Sequence, residues 1–288
     1  MKVTPLEKVA RRPRRVAVGE FDGVHLGHRE VIRGSDTVLT FEPHTLAVIR
    51  PEATPKLLTR LDVKADLVAA LSVEEMVVIP FDGTFANRSA EDFVQHVLID
   101  ALDAREVSVG ENFRFGHGAR GDAAMLGARP EFATRVVALV EVEGEIVSSS
   151  HIRGLVAAGD VAAAGRFLGA PFQIRGEVVP GDRRGRELGY PTANIVPDDA
   201  YATPGHGVYA CVVNQRPAAV NVGVRPTFDT GRGLLIEAFL LDFDGDLYGR
   251  ELALEFLARL RGERRFDSVE ALVEQMASDV EKTREVVR

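Results

Sequence analysis

The chain is poor in cysteine and has no long apolar run. Its 288 residues include a single cysteine, Cys211, which excludes both an intrachain disulfide and a cysteine-rich zinc site. No run of about 18 apolar residues occurs, so a transmembrane helix is not expected. The basic segment at residues 1–15 has no hydrophobic stretch behind it, which argues against a secretory signal. These absences predict a protein of the reducing cytoplasm.

Basic residues are also fewer than acidic ones. Lysine and arginine number 35 against 43 acidic residues, and the net charge is −8, so binding to nucleic acid or to an anionic membrane is not expected. The basic N-terminal arm could contact RNA or phosphate, but a frayed, solvated leader is the simpler interpretation. Hydrophobic residues make up 45% of the chain and charged residues 27%, as is typical of a globular protein. The length suggests two domains.

Two patterns of secondary structure divide the sequence. In the first half, short apolar runs alternate with helical stretches, which predicts a parallel sheet; the strands are expected at residues 15–21, 37–41, 75–80, 105–110 and 135–140. From residue 172, six apolar runs separated by Gly, Pro, Asn and Asp turns predict an antiparallel barrel or sandwich. A final amphipathic helix follows, with Asp267 or Ser268 as its N-cap. The join lies at residues 162–172.

The stretch GEFDGVHLGH follows the first predicted strand and carries two histidines, His25 and His28. Ligands of a parallel sheet bind beyond the carboxyl ends of its strands, and a helix that starts there presents free N–H groups to an anion. Histidines can also donate hydrogen bonds to phosphate oxygens. The pattern therefore predicts a nucleotide phosphate site. The alternatives are a capped turn with two surface histidines, or a metal-binding pair, for which no third ligand motif is present.

A second candidate phosphate-binding segment is VSSSHIRG, in which three serines precede a helical run and Arg153 lies in its first turn. Serines at a helix start are usually only N-caps. After the last strand of a nucleotide-binding domain, however, serines and an arginine also suit a second clamp on phosphates. Together with the two histidines, this segment resembles the nucleotidyltransferase superfamily. The resemblance implies a reaction that depends on positioning and electrostatics, without a covalent intermediate.

The segment GDRRGRELGYPTANI, residues 181–195, combines a glycine-rich charged loop with the start of a strand. The loop could lie over a nucleotide. Thr192 and Asn194 fall on one strand face, where a hydroxyl and an amide can bind Mg²⁺ beside phosphates, although they could instead satisfy a turn. Glu237 is a lone carboxylate in the apolar run LLIEAFLLDF. If it faced inward it would be costly unless paired or functional, and it suits a general base for a hydroxyl.

Nine motifs occur in order along almost the whole chain: GEFDGVHLGH, TFEPH, LLTRLD, VGENFRFGHGARGD, VSSSHIR, GRELGYPTAN, NVGVRPTF, DFDGDLYG and RRFDSVEAL. With these motifs the chain resembles the prokaryotic bifunctional riboflavin kinase/FAD synthetase family, and GRELGYPTAN with DLYG is the most specific part of the match. The resemblance implies an α/β plus β architecture. A Rossmann-like FMN adenylyltransferase domain would span residues 1–168. A riboflavin kinase domain, a six-stranded antiparallel β-barrel with a terminal helix, would span residues 169–288.

The resemblance also implies the chemistry and the ligands. The kinase would move the γ-phosphate of ATP onto the terminal ribityl hydroxyl of riboflavin, giving FMN. The adenylyltransferase would join AMP from a second ATP to FMN, giving FAD and pyrophosphate. Both steps use Mg²⁺ in the family, so ATP, riboflavin, FMN, FAD and Mg²⁺ are the expected ligands. The alternative is a riboflavin kinase whose adenylyltransferase domain is impaired or inactive.

Site residues are implied motif by motif. For the adenylyltransferase, the ATP-binding residues would be Gly19, Phe21, Asp22, His25, His28, Ser149, Ser150 and Arg153. The flavin-binding residues of that domain would be Asn112, Arg114 and Phe115. In the kinase, the nucleotide-binding residues would be Gly181, Arg186, Gly189, Thr192 and Asn194, of which Thr192 and Asn194 would also hold the metal. The catalytic candidates are Glu237, which matches the base of the family, and His28.

The segment after His28 departs from the family pattern, because only eight residues separate it from the next predicted strand at Thr37. A parallel crossover normally needs about a dozen residues or more. We therefore expect a helix of only about two turns and altered packing beside the ATP site, which favours the alternative of an impaired adenylyltransferase. Glu20 is a second departure, since a carboxylate beside phosphates is unfavourable unless it faces away or approaches the metal.

Overall fold

The computed structural model describes residues 1–180, 189–224 and 233–288. The chain divides into two compact units, Met1–Ser149 and Ser150–Arg288. A parallel sheet forms the first unit and a closed barrel forms the second. Within the described ranges, no helix combines the length and the apolar character that a membrane crossing requires.

A six-stranded parallel sheet lies at the centre of the first unit. Its strand order is β1 (Lys2–Pro5), β4 (Glu75–Pro80), β3 (Thr37–Glu42), β2 (Arg14–Val18), β5 (Ala104–Gly110) and β8 (Ala133–Val137). All neighbouring pairs run parallel. Each strand predicted for the first half of the sequence overlaps one of these strands, so the predicted parallel sheet is confirmed.

Alternate residues of these strands enter two separate hydrophobic clusters. Val16 and Val18 of β2 belong to one cluster, whereas Ala17 between them packs with Ile32 and Val68 in the other. Because successive strand residues point to opposite faces, the sheet is covered on both sides. Burial of both faces is what a parallel sheet with helical crossovers requires.

Helices connect the strands of the first unit. They are α1 (Leu26–Ile32), α2 (Thr45–Ile49), α3 (Leu61–Ala69), α4 (Gly83–Ala86), α5 (Ala90–Asp92, which continues as a π-helix over Phe93–Ala101) and α6 (Ala123–Gly127). Short 3₁₀ turns cover Leu6–Lys8, Pro51–Ala53 and His117–Ala119. Two small antiparallel pairs complete the unit: β6 (Arg114–Phe115) with β7 (Gly121–Asp122), and β9 (Glu141–Val142) with β10 (Glu145–Ile146).

The crossover that follows β2 is short, and a side chain from β8 binds its end. α1 has 7 residues, about two turns, as the spacing predicts. The guanidinium of Arg135 donates to the carbonyl oxygens of Glu30 at 3.1 Å and Val31 at 2.8 Å, and also to that of Arg33. These carbonyls have no partner inside the helix, and a cation at a helix C-terminus is favourable. Arg135 therefore stabilises the short crossover.

The expectation of a frayed, solvated N-terminal leader is wrong, because the leader contains β1, an edge strand paired with β4. Thr4 is buried, and its hydroxyl donates to Glu75 Oε1 at 2.7 Å. Arg14, only 2% exposed, donates to Glu75 Oε2 at 3.0 Å. Arg12 forms ion pairs with Glu74 and Glu75. Acidic residues of the sheet edge thus bind the basic arm, a long-range pairing that its local sequence does not reveal.

A closed barrel of six antiparallel strands forms the second unit. Its order is β11 (Phe172–Val179), β12 (Ala193–Ile195), β15 (Leu234–Leu240), β14 (Arg216–Val224), β13 (Gly207–Val213) and β16 (Glu251–Arg261). Two helices precede the barrel, α7 (Ser149–Ala158) and α8 (Val161–Leu168), and α9 (Val269–Val287) follows it. The six apolar runs after residue 172 correspond to these strands, so the predicted barrel and terminal helix are confirmed.

Side chains of β15 alternate between the barrel interior and the surface that faces α9. Ile236 and Ala238 are fully buried, whereas Glu237 between them is half-buried. The α9 helix packs on the outside of β13, β14 and β16. Its N-cap is Ser268, whose Oγ accepts a hydrogen bond from the Ala271 amide at 3.2 Å. Glu237 therefore lies on the outer face of the barrel, on the same side as the helix.

Candidate active sites

The loop between β2 and α1 has an unusual backbone. Phe21 and Val24 have φ angles of +52° and +41°, and Gly23 between them has φ +87°. The left-handed region is costly for residues with a Cβ atom, above all for a β-branched valine. Such a conformation persists only where the surroundings hold it. The loop therefore depends on the contacts that fix it.

Asp22 fixes this loop from the inside. It is 4% exposed, and its Oδ1 accepts from the backbone amides of Leu58 at 2.8 Å and Thr59 at 3.1 Å. The Thr59 hydroxyl in turn accepts from the Gly23 amide at 3.1 Å. Ser149 Oγ donates to the carbonyl oxygen of Asp22 at 2.9 Å. Asp22 and Ser149 were both predicted as ATP-binding residues. In the structure, each of them forms hydrogen bonds that support the loop.

The two histidines lie together at the start of α1. His25 is the N-cap, and its Nδ1 accepts from the His28 amide at 3.2 Å. The imidazole rings stack, with centroids 3.5 Å apart and an interplanar angle of 15°. Nδ1 of His28 is buried and has no hydrogen-bond partner among the described residues. Burial, then His25, then Lys64 lower the pKa of His28 well below its usual value, so this side chain is neutral at pH 7.

Lys64 of α3 supports the same loop and was missed from the sequence. It is 6% exposed, and its Nζ donates to the carbonyl oxygen of Glu20 at 2.8 Å. Burial lowers the pKa of Lys64, against the opposing carboxylates of Glu20, Asp22 and Glu42. The available signal was its spacing: Lys64 stands three residues after Leu61 and four before Val68, on the apolar face of the helix.

Glu20 has a partner of its own on the second helix. Its Oε1 accepts from the backbone amide of Thr45, the first residue of α2, at 3.0 Å. Carboxylates are favourable at that end of a helix. Its Oε2 is buried without a hydrogen-bond partner among the described residues. The carboxylate that looked misplaced beside phosphates thus helps to start α2.

The second predicted phosphate segment lies at the beginning of α7. Ser149, its first residue, is the last residue of the first unit, and Ser150 and Arg153 belong to the second unit. An Arg153 guanidinium nitrogen donates to the Ser150 hydroxyl at 3.2 Å. This contact links residues three apart on one helix face, so Ser150 and Arg153 can act on a ligand together.

The predicted flavin residues of the first unit lie in and beside β6. Asn112 and Arg114 are exposed, and Arg114 is 3.7 Å from the Asp122 carboxylate. Phe115 is 7% exposed and belongs to a hydrophobic cluster. Its ring stacks on that of Phe113, with centroids 5.5 Å apart. Asn112 and Arg114 thus have accessible side chains, whereas Phe115 packs into the core.

In the second unit, three polar side chains form a row across neighbouring strands. Asn194 of β12 pairs in register with Glu237 of β15, and Glu237 pairs with Asn221 of β14. Residues directly opposite each other in an antiparallel sheet share a face. The Asn221 amide nitrogen donates to Glu237 Oε2 at 3.2 Å. Asn194 and Glu237 were predicted as site residues, whereas Asn221 was quoted within the motif NVGVRPTF without a role, because only the pairing register brings it to this row.

A cavity of about 660 Å³ lies between this face of the barrel and α9. Barrel residues that line it include Tyr190, Thr192, Asn221, Glu237 and Phe239. The α9 side contributes Leu272, Met276 and Val280, with Asp279 and the segment 263–266 nearby. Asn194 is not among the described residues that line it. One apolar wall and a few convergent polar groups are typical of a site for a small organic ligand.

The remaining kinase candidates are only partly described. Gly181 and Arg186 lie outside the described residues. Gly189 is exposed and has φ +83°, a conformation that favours glycine. It leads directly into Tyr190, whose ring meets that of Phe239 edge-on, with centroids 5.2 Å apart. Gly189, the one residue of the predicted glycine-rich loop that is described, therefore directly precedes the cavity-lining Tyr190.

Comparisons with known proteins match both units. A family model for FAD synthetase matches residues 7–151, and one for riboflavin kinase matches residues 168–287. The bifunctional riboflavin kinase/FMN adenylyltransferase of Escherichia coli K12 is 36% identical to this chain, over 94% of this chain and 91% of the relative. The protein of the same name from Listeria monocytogenes is 35% identical, over 93% and 91%.

A solved structure matches the whole chain as well. The crystal structure of a protein described as a macrolide-efflux protein from Streptococcus pneumoniae has a TM-score of 0.90 and 32% identity, and the match covers 99% of both chains. The two family models and the full-length relatives agree on both activities. The chain therefore belongs to the bifunctional riboflavin kinase/FMN adenylyltransferase family: it phosphorylates riboflavin to FMN with ATP, and it joins AMP from ATP to FMN to form FAD.

Proposed function

We propose that the two reactions take place at two separate sites, with the adenylyltransferase in residues 1–168 and the kinase in residues 169–288. Two observations support the presence of two separate sites, although the compact units themselves divide earlier, after Ser149. The two family models match on either side of residue 160, and each compact unit has its own sheet or barrel. Both reactions consume ATP, which supports the cytoplasm as the place where the protein works.

The position of Glu237 on the cavity wall is the observation that carries the kinase proposal. The flat ring system of riboflavin, with its apolar dimethylbenzene half, suits the wall formed by Leu272, Met276 and Val280. The ribityl chain would then extend toward Glu237 on the opposite wall. Glu237 takes the proton of the terminal hydroxyl while that oxygen bonds to the γ-phosphorus of ATP. The bond from this phosphorus to the ADP oxygen breaks, so ADP leaves with the electron pair.

Thr192 and Asn194 are the proposed Mg²⁺ ligands, and their chemistry fits the ion. A hydroxyl and an amide oxygen are the hard donors that Mg²⁺ accepts, with phosphate oxygens and water completing its six positions. Among the described residues, no group of three or more His, Cys, Asp or Glu side chains could hold a metal ion without such help. When bound, Mg²⁺ neutralises charge on the β- and γ-phosphates. Gly181, Arg186 and Gly189 are proposed to hold the same nucleotide.

In the adenylyltransferase, His25 and His28 are proposed to bind ATP phosphates. Nδ1 of His28 is buried and has no hydrogen-bond partner within the described ranges, which supports this role, because a buried polar atom without a partner is costly unless a ligand completes it. Gly19, Phe21 and Asp22 shape the loop that presents the histidines. Ser149, Ser150 and Arg153, at the start of α7, are also proposed as ATP-binding residues of this reaction.

The adenylyl transfer itself needs no general base. A phosphate oxygen of FMN, already ionised at neutral pH, bonds to the α-phosphorus of ATP, and the bond to the pyrophosphate oxygen breaks. The residues of this site therefore hold the two phosphates in line and stabilise charge on the leaving pyrophosphate. His28 is neutral and can donate a hydrogen bond from one ring nitrogen. Asn112 and Arg114 are proposed to hold FMN, with Phe115 supporting them from the core.

Product analysis tests this proposal most simply. The full-length protein is incubated with riboflavin, ATP and Mg²⁺, and FMN and FAD are separated by chromatography. Wild type is expected to form FMN first and FAD later. Glu237→Gln keeps the shape of the side chain but removes the base, and it should abolish FMN formation while FAD still forms when FMN is supplied. Wild-type FMN formation by this variant would show that Glu237 is not the base.

A further inference from the structure

Asn221 lines the kinase cavity and begins the motif NVGVRPTF, but the resemblance assigned it no role. It lies opposite Glu237 in the pairing of β14 with β15, and its amide nitrogen donates to Glu237 Oε2 at 3.2 Å. Both side chains line the same cavity. An ionised carboxylate can only accept hydrogen bonds, so the amide group of Asn221 must turn its nitrogen toward Glu237. The chemistry of the pair thus fixes the orientation of both groups.

The hydrogen bond from Asn221 makes the two oxygens of the Glu237 carboxylate different from each other. Oε2 is held by Asn221, whereas Oε1 has no hydrogen-bond partner among the described residues. A glutamate side chain has three rotatable bonds, and a base must lie within hydrogen-bond reach of the proton that it takes. A fixed Oε2 restricts the rotation of the carboxylate and leaves Oε1 as the oxygen that can accept a proton.

The barrel core does not depend on the Asn221 side chain. Its neighbours on β14, Val220 and Val222, are fully buried, and strand residues alternate between faces. Asn221 therefore points away from the barrel interior and into the cavity, on the same face as Glu237. Its replacement changes the cavity wall and leaves the apolar core of the barrel intact.

We propose that Asn221 is a positioning residue of the kinase: it holds Oε2 of Glu237 so that Oε1 takes the proton of the terminal ribityl hydroxyl. The proton moves to Oε1 as the substrate oxygen bonds to the γ-phosphorus and ADP leaves. Asn221 itself exchanges no proton. This inference rests on the proposed role of Glu237 as the base.

Two replacements of Asn221 test the positioning role. Asn221→Asp has the same shape but lacks the donor and places a second carboxylate beside the first, and Asn221→Ala removes the contact. Both should lower kcat for FMN formation by about 10- to 100-fold, the range expected for a misplaced catalytic group. In Asn221→Ala, KM for ATP should stay within about twofold, because uniform binding of the nucleotide is unchanged. FAD formation from supplied FMN, measured on the same samples, should remain at the wild-type rate.

A double variant separates positioning from a general loss of structure. If Asn221 acts through Glu237, then Asn221→Ala adds nothing to Glu237→Gln, and the double variant is no slower than Glu237→Gln alone. Losses that multiply in the double variant, or a raised KM with unchanged kcat, would overturn the inference while the base role of Glu237 stands. A wild-type kcat for FMN formation in Glu237→Gln would instead contradict the proposed role of Glu237 as the base, and this inference would fail with it.

Discussion

At the residue scale, a strained loop and a buried cation meet beside the proposed ATP site of the adenylyltransferase. Left-handed conformations at two non-glycine residues cost about 1–3 kcal/mol each, and in this loop they fall at Phe21 and Val24. Lys64 offsets part of that cost through its hydrogen bond to the Glu20 carbonyl oxygen. After burial and His25, the charge of Lys64 is a third and smaller cause of the lowered pKa of His28. Lys64 therefore supports both the shape and the charge of the site.

Replacement of Lys64 by methionine, which is similar in size but uncharged, should impair FAD formation and spare FMN formation. Loss of a buried hydrogen bond to a charged donor costs about 1.5–3 kcal/mol, so KM for ATP in the adenylyltransferase reaction should rise on the order of 10-fold. Steady-state kinetics with FMN and ATP measure it. Lys56→Met, at an exposed position of the same unit, is the matched control. An unchanged KM for ATP in Lys64→Met would contradict the role assigned to this lysine.

At the element scale, the N-terminal strand depends on a buried charged cluster. Thr4 on β1 and Arg14 on β2 both donate to the carboxylate of Glu75 on β4. Burial raises the pKa of Glu75, but the hydrogen bonds from Thr4 and Arg14 outweigh it, and the net pKa lies below the usual value. A carboxyl group with a lowered pKa in the folded state stabilises that state above its usual pKa. The stabilisation is lost as pH falls through the folded value.

Glu75→Gln should therefore destabilise the first unit in a pH-dependent way. We expect a loss of about 2 kcal/mol in the free energy of unfolding near neutral pH, because the buried Arg14 guanidinium loses its charged acceptor. At acid pH, below the lowered folded pKa of Glu75, the wild-type carboxyl becomes protonated, and the difference between the two proteins should shrink. Urea unfolding at neutral and at acid pH measures the difference in the free energy of unfolding. Hydrogen exchange of the β1 and β4 amides serves as the local probe. A difference of constant size across pH would refute the charge-based explanation.

At the scale of the whole molecule, the sequence predicted the secondary structure and fold class better than the contacts between residues distant in sequence. Alternation of apolar runs was enough to predict the parallel sheet and the six barrel strands, because each strand carries its own periodicity. The strand at Lys2–Pro5 was not predictable in this way, since its partner lies about seventy residues away and a charged cluster fixes it. Asn221 was assigned no role for a related reason: only the pairing register places it opposite Glu237.

The cavity of the second unit shows the same limit. Its apolar wall comes from α9 and its polar wall from β14 and β15, and these elements are distant in sequence. Local patterns predicted each element, including the Ser268 cap, but not which faces would meet. Lys64 was overlooked for the same reason, because its hydrogen-bond partner Glu20 is distant in sequence. Its place on an apolar helix face could nevertheless have revealed it.

The central claim is that one chain carries two independent sites, and mixing two inactive variants tests it most directly. His28→Ala is expected to form FMN from riboflavin but no FAD, and Glu237→Gln is expected to form FAD only from supplied FMN. Neither variant alone should convert riboflavin to FAD, but an equal mixture of the two should do so, because FMN released by the first is the substrate of the second. Loss of FMN formation in His28→Ala, or a mixture that makes no FAD, would contradict the account.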